Sequence, residues 1–399
     1  MSKASCEAAK KHQRCGLCEW NGLNCLEYME DYSMKEYKEN KELRILSAIG
    51  IILVAAGHLG YTLFDIGGLF PYYSFHVFIF LFVSGYFYKE ESKDHIISYL
   101  LGKCVTLLLP YFIWNLIYGI LTMLLHRVGF TIGQDISFYT LFLAPFDGGH
   151  QFMYQFPSWF VPVLFMIEAV NVCMRKALSL LRIRNEWIIF VGCLVLGILT
   201  VWLAIGGHVW GLYKIPGRIL FMLPGFQLGY LYKEKLEKHD TLPDGPYFLL
   251  VMGIQLLITV LCGGLAFSAV WVTSFANGPV VPYLTVITGI AFWLRISRII
   301  KDIPYLSGKL VTIGRNTYAI MMHHIFAFFL VKGFFYLLHI LTPLCAEFDT
   351  EMFLTEINFI YLPGGAEASK WLYLLVGIGI PLFIANLQRA AVKLFQKRD

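Results

Sequence analysis

The sequence predicts an all-α, polytopic integral membrane protein, and three observations lead to that fold class. First, apolar residues make up 57% of the 399-residue chain and charged residues only 15%, against about 25% charged in a soluble domain. So few charges cannot cover a soluble surface, and so much apolar material excludes a disordered chain. Second, many apolar stretches are long enough to cross a bilayer as helices. Third, Lys and Arg residues cluster at alternate ends of these stretches.

The individual spans follow from length and composition. A transmembrane helix needs about 20 mostly apolar residues. Ten stretches meet this requirement, at approximately 45–63, 69–88, 104–125, 158–174, 187–205, 217–232, 247–267, 277–294, 314–340 and 371–388. The apolar run over 188–196 lacks the alternation of a barrel strand. We therefore expect about ten transmembrane helices and no transmembrane strands.

The distribution of cations predicts the orientation. If the N-terminus is cytosolic and ten spans follow, 27 of the 32 Lys and Arg residues fall on the cytosolic side, as the positive-inside rule requires. The longest loop on the other side, 341–370, is acidic. Both termini are therefore predicted to be cytosolic. The net charge of +5 reflects this orientation, so nucleic acid is not an expected partner.

Three parts of the chain are predicted: a cytosolic Cys-rich segment over 1–42, a transmembrane domain over 43–392 and a cytosolic tail over 393–399. No secretory signal peptide is expected, because the first apolar run follows a long polar stretch and is long enough to be an anchor.

The N-terminal segment contains four cysteines, Cys6, Cys15, Cys18 and Cys25. The Cys15–Cys18 spacing is typical of metal-binding pairs, and four thiolates would suit tetrahedral zinc. A cytosolic location disfavours disulfides. Two interpretations remain open, a small zinc site and a short segment with reduced thiols.

Ionisable side chains inside the predicted spans are the first candidates for function, because burying them in lipid is costly. They are His58, His76, Glu168, Arg218, His323, His324 and Lys332. His58 follows Arg44 by 14 residues, about 21 Å and nearly four turns along a helix. Both side chains are therefore expected on one face of the first span, and His76 at the depth of His58. The alternatives are that each histidine only bridges two helices and that Glu168 only neutralises Arg218 or a histidine.

Six segments occur in a characteristic order: L-R-I-L-S-A-I-G at 43–50, S-F-H-V-F-I-F-L-F-V-S-G-Y-F at 74–87, L-P-Y-F-I-W-N at 109–115, S-W-F-V-P-V-L-F at 158–165, G-R at 217–218 with L-P-G-F-Q-L-G at 223–229, and I-G-R-N-T-Y-A-I-M-M-H-H at 313–324. In this order they resemble the membrane acyltransferase family 3, in the branch similar to fucose 4-O-acetylases. Two departures are visible. Thirteen residues separate Arg44 from His58 where the family usually has ten, and Phe78 replaces a proline.

This resemblance implies an O-acyltransferase of the plasma membrane. Its donor would be a cytosolic acyl-CoA, usually acetyl-CoA, and its acceptor a hydroxyl of a sugar, a surface glycan or a lipid-linked precursor. His58 would be the general base, with His76 or Glu168 orienting it. Cations among Arg44, Arg295, Arg298 and Arg315 would bind the CoA phosphates. Further candidates for binding the donor or the developing oxyanion are Ser84, Arg218, Arg315, Asn316 and His323.

Two functions of other classes compete with this one. A transporter or flippase for a glycan or small molecule would also place His, Glu and Arg near the midplane, although no inverted repeat is visible. A membrane sensor would instead depend on the Cys-rich segment. The sequence leaves the acceptor and the oligomeric state open, a homo-oligomer included.

Overall fold

The computed structural model of the protein describes residues 39–268, 270–271 and 275–396. Cys6, Cys15, Cys18 and Cys25 lie outside the described residues, so both interpretations of this segment, the zinc site and the reduced thiols, stay open. Within the described ranges the regular secondary structure is helical and no strand occurs. The all-α prediction is therefore confirmed.

Twelve helices of eight or more residues make up the described fold. In chain order they are α1 Lys41–Gly57, α2 His76–Phe87, α3 Ile96–Lys103, α4 Leu109–His126, α5 Phe160–Leu180, α6 Glu186–Ile205, α7 Lys214–Leu231, α8 Asp244–Cys262, α9 Val281–Ile300, α10 Pro304–Arg315, α11 Thr317–Leu341 and α12 Ser369–Gln396. A π-helical turn, Cys104–Leu108, joins α3 to α4, and a 3-10 segment, Met153–Trp159, leads into α5. Shorter helices, Ala144–Asp147 and Thr350–Thr355, lie in connecting segments.

Each of the ten predicted spans contains a helix, but the helices differ in their capacity to cross a membrane. Among the described residues, seven helices are long and apolar enough to do so, and the chain is accordingly a multi-pass membrane protein. The helices in the other three predicted spans are α1, α2 and α7. The first two are short, and α7 carries Lys214 and Arg218 among its apolar residues. The number of ten spans and the orientation therefore stay predictions.

The first two helices are shorter than expected, which corrects the predicted position of the histidines. The spans were expected at 45–63 and 69–88, but α1 ends at Gly57 and α2 begins at His76. Between them the chain passes through glycines with positive φ, Gly60, Gly67 and Gly68, which favour turns over helix. His58 thus lies just beyond α1, and His76 is the first residue of α2.

These two short helices occupy the interior of the bundle. Most residues of α1 are buried, and the buried residues of α2 point in all directions around its axis, the pattern of a helix enclosed by protein. At 12 residues, α2 is about 18 Å long, well short of the roughly 30 Å hydrocarbon core. It packs on α1, α7 and α9, while α1 also contacts α10, α11 and α12. Both helices are therefore enclosed by their protein neighbours.

Glycines fix two of these helix contacts. A Cβ placed on Gly85 of α2 would overlap the carbonyl oxygen of Phe226 in α7, and one on Gly229 of α7 would overlap that of Phe82 in α2. A Cβ placed on Gly314 of α10 would likewise overlap the carbonyl oxygen of Arg44 in α1. Small residues allow such close backbone approach between membrane helices. Glycines of the S-G-Y, L-P-G-F-Q-L-G and I-G-R-N segments thus set the spacing around the site.

Candidate active site

A cavity of about 390 Å³ lies between α1, α2, α11 and the segment leading into α5. From α1 and the residue after it, the wall receives Arg44, Ser47, Ile51, Val54 and His58. Their spacing alternates between three and four residues, which places them on one helix face. Arg44 and His58 therefore stand at opposite ends of one continuous stripe.

Helix α2 also lines the cavity and runs antiparallel to α1. His76, Phe80 and Ser84 of α2 belong to the wall, and Gly50 of α1 packs on Phe80 about midway. Ser84 therefore lies toward the Arg44 end, and His76 lies with His58. With a rise of 1.5 Å per residue, about 21 Å of helix separates Arg44 from His58. The cavity is elongated, with a cation at one end and imidazoles at the other.

The His58 ring is held by ring contacts. The Phe156 ring lies roughly perpendicular to it at a centroid distance of 4.9 Å, and the His324 ring lies 5.3 Å away in a tilted arrangement. In the part of the chain that the structure describes, His58 forms no side-chain hydrogen bond. Both ring nitrogens of His58 are therefore available for hydrogen bonds to a ligand.

Two neighbouring histidines have their tautomers set by backbone carbonyls. The Nδ1–H of His76 donates to the carbonyl oxygen of Tyr72 at 2.6 Å, and that of His324 donates to Ile320 at 2.7 Å. In each neutral ring, Nε2 is then left as an acceptor. Nε2 of His324 is buried and has no partner among the described residues. The imidazole cluster thus contains fixed acceptors beside His58.

Glu168 takes a different place from the one expected of a group that orients His58. It is buried in α5, and its carboxylate accepts from Lys103 Nζ at 2.8 Å. It is not among the described residues that line the cavity. The partner of Glu168 is Lys103, at the end of α3 beside this part of α5, and not Arg218 or a histidine.

Arg218 lies behind the cavity wall. Its guanidinium is buried in α7 and stacks over the ring of Trp159 at 4.5 Å from the centroid, while Trp159 itself faces the cavity. Arg218 thus positions a wall residue and is not among the described lining residues.

Three further candidates from the I-G-R-N-T-Y segment fall outside the described wall. Asn316 donates from Nδ2 to the carbonyl oxygen of Thr312 at 2.7 Å, and His323 Nδ1 pairs with the Tyr118 hydroxyl at 2.8 Å. Arg315 is next to Gly314, which does line the cavity, but is not itself part of the wall. The lining residues of α11 are Thr317, Tyr318 and Met321.

Arg295 and Arg298, also proposed for phosphate binding, lie outside the described wall of the cavity and form ion pairs. Arg295 bonds Asp240 and Asp244, and Arg298 bonds Glu42 and Asp240. The Arg298–Glu42 pair joins the start of α1 to the end of α9, and the other pairs join α9 to the connection before α8 and to the first residue of α8. Of the described residues in the cavity wall, Arg44 is the one with a permanent charge.

The cavity also contains residues that the sequence did not single out. His150, Tyr61 and Phe156 all contribute to the wall near His58. Desolvation and the nearby cations of Arg218 and Lys214 lower the pKa of His150 to about 4. His150 lies in a connecting segment, outside the predicted spans, and so is not one of the ionisable groups expected inside them. Its one sequence signal is its place just before the F-P-S-W-F run.

The fold and the cavity together define a multi-pass helical membrane protein with a buried histidine cluster at one end of an elongated pocket. The sequence model of a family described as an acyltransferase domain, acyltransferase 3, matches residues 40–385. The chain therefore belongs to this family of membrane acyltransferases. No curated protein and no solved structure shows a significant match to the chain.

Proposed function

We propose that this acyltransferase is an O-acyltransferase that moves an acyl group, acetyl in the first instance, from a cytosolic acyl-CoA to a hydroxyl of a sugar. The acceptor would be a surface glycan or its lipid-linked precursor at the plasma membrane, with both protein termini in the cytosol. The observation that carries this proposal is the elongated cavity, with Arg44 at one end and His58 and His76 at the other. A donor with an anionic head and a long arm ending in a reactive thioester matches that arrangement.

Arg44 is the proposed contact for the CoA phosphates, because charge-assisted hydrogen bonds from guanidinium to phosphate are strong and directional. Ser84 lies toward the same end of the cavity, and its hydroxyl would form a hydrogen bond with the acyl-CoA. The pantetheine arm would then follow the face formed by Ser47, Ile51 and Val54 toward the histidines. Arg295 and Arg298 are left out of this role, because they do not belong to the described wall of the cavity and their guanidinium groups bond carboxylates.

His58 is the proposed general base. Its neutral ring would take the proton of the acceptor hydroxyl while that oxygen attacks the thioester carbonyl carbon. The tetrahedral intermediate then collapses, the C–S bond breaks, and the CoA thiolate takes a proton, which His58 can return. The products are an O-acyl ester and free CoA. A covalent acyl-His58 intermediate is a variant of the same route.

His76 and His324 would support His58 through their Nε2 acceptors, which can stabilise the imidazolium formed during the reaction. These two histidines take the supporting role predicted for Glu168, because the Glu168 carboxylate bonds Lys103 away from the described wall. Trp159, held by Arg218, would bound the acceptor side of the pocket.

The test is transfer by the purified full-length protein in proteoliposomes, with radiolabelled acetyl-CoA and a set of glycan acceptors. His58→Ala should lower turnover by at least about a hundredfold, the usual range for loss of a general base, and leave acyl-CoA affinity unchanged. Arg44→Ala should do the reverse, weakening acyl-CoA binding with a smaller effect on saturated turnover. His126→Ala, which replaces a histidine outside the cavity wall, is the matched control and should behave as the wild type.

Unchanged turnover in His58→Ala would remove the catalytic assignment. A wild type that consumes no acyl-CoA with any acceptor, yet moves a glycan across the bilayer, would replace the enzyme with the transporter function.

A further inference from the structure

The structure brings an unexpected aromatic residue to the histidine end of the cavity. Tyr61 lies three residues beyond His58, lines the same cavity and keeps 42% of its surface exposed. It has a positive φ of 47°, directly after Gly60 at 93°. A bulky residue in this region is uncommon, and such strained residues cluster at ligand-binding sites, where the surroundings hold them in place.

The surroundings of Tyr61 fix its ring. A Cβ on Gly57 would lie 3.1 Å from Tyr61 Cε1, so the ring rests against the last residue of α1. Tyr72 and Tyr73 pack on it at centroid distances of 5.1 and 5.2 Å, the second in an edge-to-face arrangement. Tyr73 is in turn anchored by its hydroxyl, which donates to the carbonyl oxygen of Leu265 at 3.1 Å. The exposed part of the Tyr61 ring is therefore a rigid apolar surface.

The loop that carries Tyr61 is also tied to a distant helix. Lys370 of α12 donates to the hydroxyl of Thr62 at 3.2 Å and pairs with Glu367. This contact holds the residue after Tyr61 against the start of α12. Contacts of the Tyr61 ring and of the next residue, Thr62, thus fix where the ring lies relative to His58.

The chemistry of this end of the cavity indicates the kind of molecule that would contact the ring. This end is lined by the aromatic rings of Tyr61, Phe156 and Trp159 together with the imidazoles of His58, His76 and His150. Among the described wall residues at this end there is no carboxylate, lysine or arginine, and the guanidinium of Arg218 lies behind the wall, stacked on Trp159. A charged acceptor would therefore have no direct ionic partner in the wall. A molecule with one apolar face and an edge of hydroxyl groups satisfies both kinds of surface, since aromatic faces attract polarised C–H groups and ring nitrogens accept hydroxyl protons.

We propose that Tyr61 is a specificity residue, whose ring stacks on the apolar face of an uncharged sugar ring and directs one of its hydroxyls to His58. This inference rests on the proposed acyltransferase function and deepens it by naming the acceptor as a neutral hexopyranose unit. Charged sugars and simple aliphatic alcohols are then poor acceptors.

Binding and transfer are measured separately on the full-length protein, so that the two proposals can fail independently. Binding of neutral methyl hexopyranosides is followed by saturation-transfer NMR without acyl-CoA, with a uronic acid glycoside and hexanol as comparison ligands. Transfer is measured with radiolabelled acetyl-CoA and the same acceptors. The variants are Tyr61→Ala and Tyr61→Phe, with Tyr305→Ala as control, because Tyr305 is exposed on α10 outside the cavity wall.

Tyr61→Ala should weaken hexopyranoside binding and raise the acceptor KM about tenfold, which corresponds to the loss of one stacking contact. The KM for acetyl-CoA should stay unchanged, and Tyr61→Phe should keep most of the affinity because the ring is retained. The inference is overturned if Tyr61→Ala binds the glycosides as the wild type does, or if Tyr61→Phe loses as much as Tyr61→Ala. Glycoside binding that depends on Tyr61 in a wild type without transfer would overturn the acyltransferase proposal alone.

Discussion

At the scale of single residues, the adjacent histidines of α11 have different surroundings. Successive helix residues point about 100° apart, so only one of the two can face the catalytic end directly. His324 meets His58, whereas His323 lies against Trp114 at 4.2 Å and bonds Tyr118. The motif His-His therefore combines a group beside the cavity with a group that joins α11 to α4.

This difference gives a matched pair of variants. His324→Phe keeps a ring of similar shape but removes the Nε2 acceptor beside His58. We expect saturated turnover to fall between about tenfold and a hundredfold, the cost of a misplaced or unsupported catalytic group, with acyl-CoA affinity unchanged.

His323→Phe is the control, and it should lower thermal stability through loss of the Tyr118 hydrogen bond while turnover per folded molecule is kept. Equal turnover in the two variants would show that His324 has no special role. A shift of the acid limb of the pH–rate profile toward lower pH in His324→Phe would further mark His324 as a group that stabilises the His58 imidazolium, because without that support His58 loses its proton more readily.

At the scale of helices, the site depends on contacts between backbones. Gly85 and Gly229 allow α2 and α7 to approach until each glycine meets a carbonyl oxygen of the other helix. In lipid, where apolar side chains gain little by leaving their surroundings, such packing is a main source of helix association. The same contact fixes where α2 presents His76 and Ser84.

Replacing either glycine should therefore disturb both stability and the site. Gly85→Ala or Gly229→Ala forces the helices apart and should cost about 1–3 kcal/mol of stability, as overpacking does. Thermal unfolding in detergent measures the effect, and the acyl-CoA KM reports any change in the cavity.

Gly192→Ala in α6 is the control, because a Cβ there meets no atom within 4 Å. It should unfold as the wild type does. Wild-type stability in Gly85→Ala would show that the α2–α7 contact adjusts freely and does not set the site.

At the scale of the whole molecule, charge and apolar surface are arranged for a membrane. Large apolar side chains are exposed along α6 and α8, for example Trp202 and Leu261, as expected of lipid-facing helices. The cations lie mostly on one predicted side, and several of them form ion pairs, such as Lys301 with Glu42. The same Lys and Arg residues thus account for the predicted orientation and form local ion pairs.

The predicted orientation is tested by labelling single cysteines in a background whose nine native cysteines are replaced. Lys309→Cys, in the exposed part of α10, should react with a membrane-impermeant maleimide only after the cells are opened. Glu351→Cys, in the short exposed helix of the acidic loop, should react in intact cells. The opposite pattern would place the Arg44 end of the cavity outside the cytosol and exclude cytosolic acyl-CoA as the donor.

The sequence by itself determined the helical membrane fold, the approximate position of the helix within each predicted span and the stripe that joins Arg44 to His58. These features depend on residue composition and on the 3.6-residue period, which are properties of a single helix. It placed the ends of α1 and α2 wrongly, because their apolar runs continue into a glycine-containing connection that does not stay helical.

Only the tertiary structure decided which side chains meet. It paired Glu168 with Lys103, joined Arg295 and Arg298 to carboxylates, and brought His324, His150 and Tyr61 to the end of the cavity where His58 lies. These partners are far apart in the chain or lie in connecting segments, where no helical period constrains them. Periodicity fixes which residues share a face, but the packing of whole helices, set here by glycine contacts, decides what that face touches.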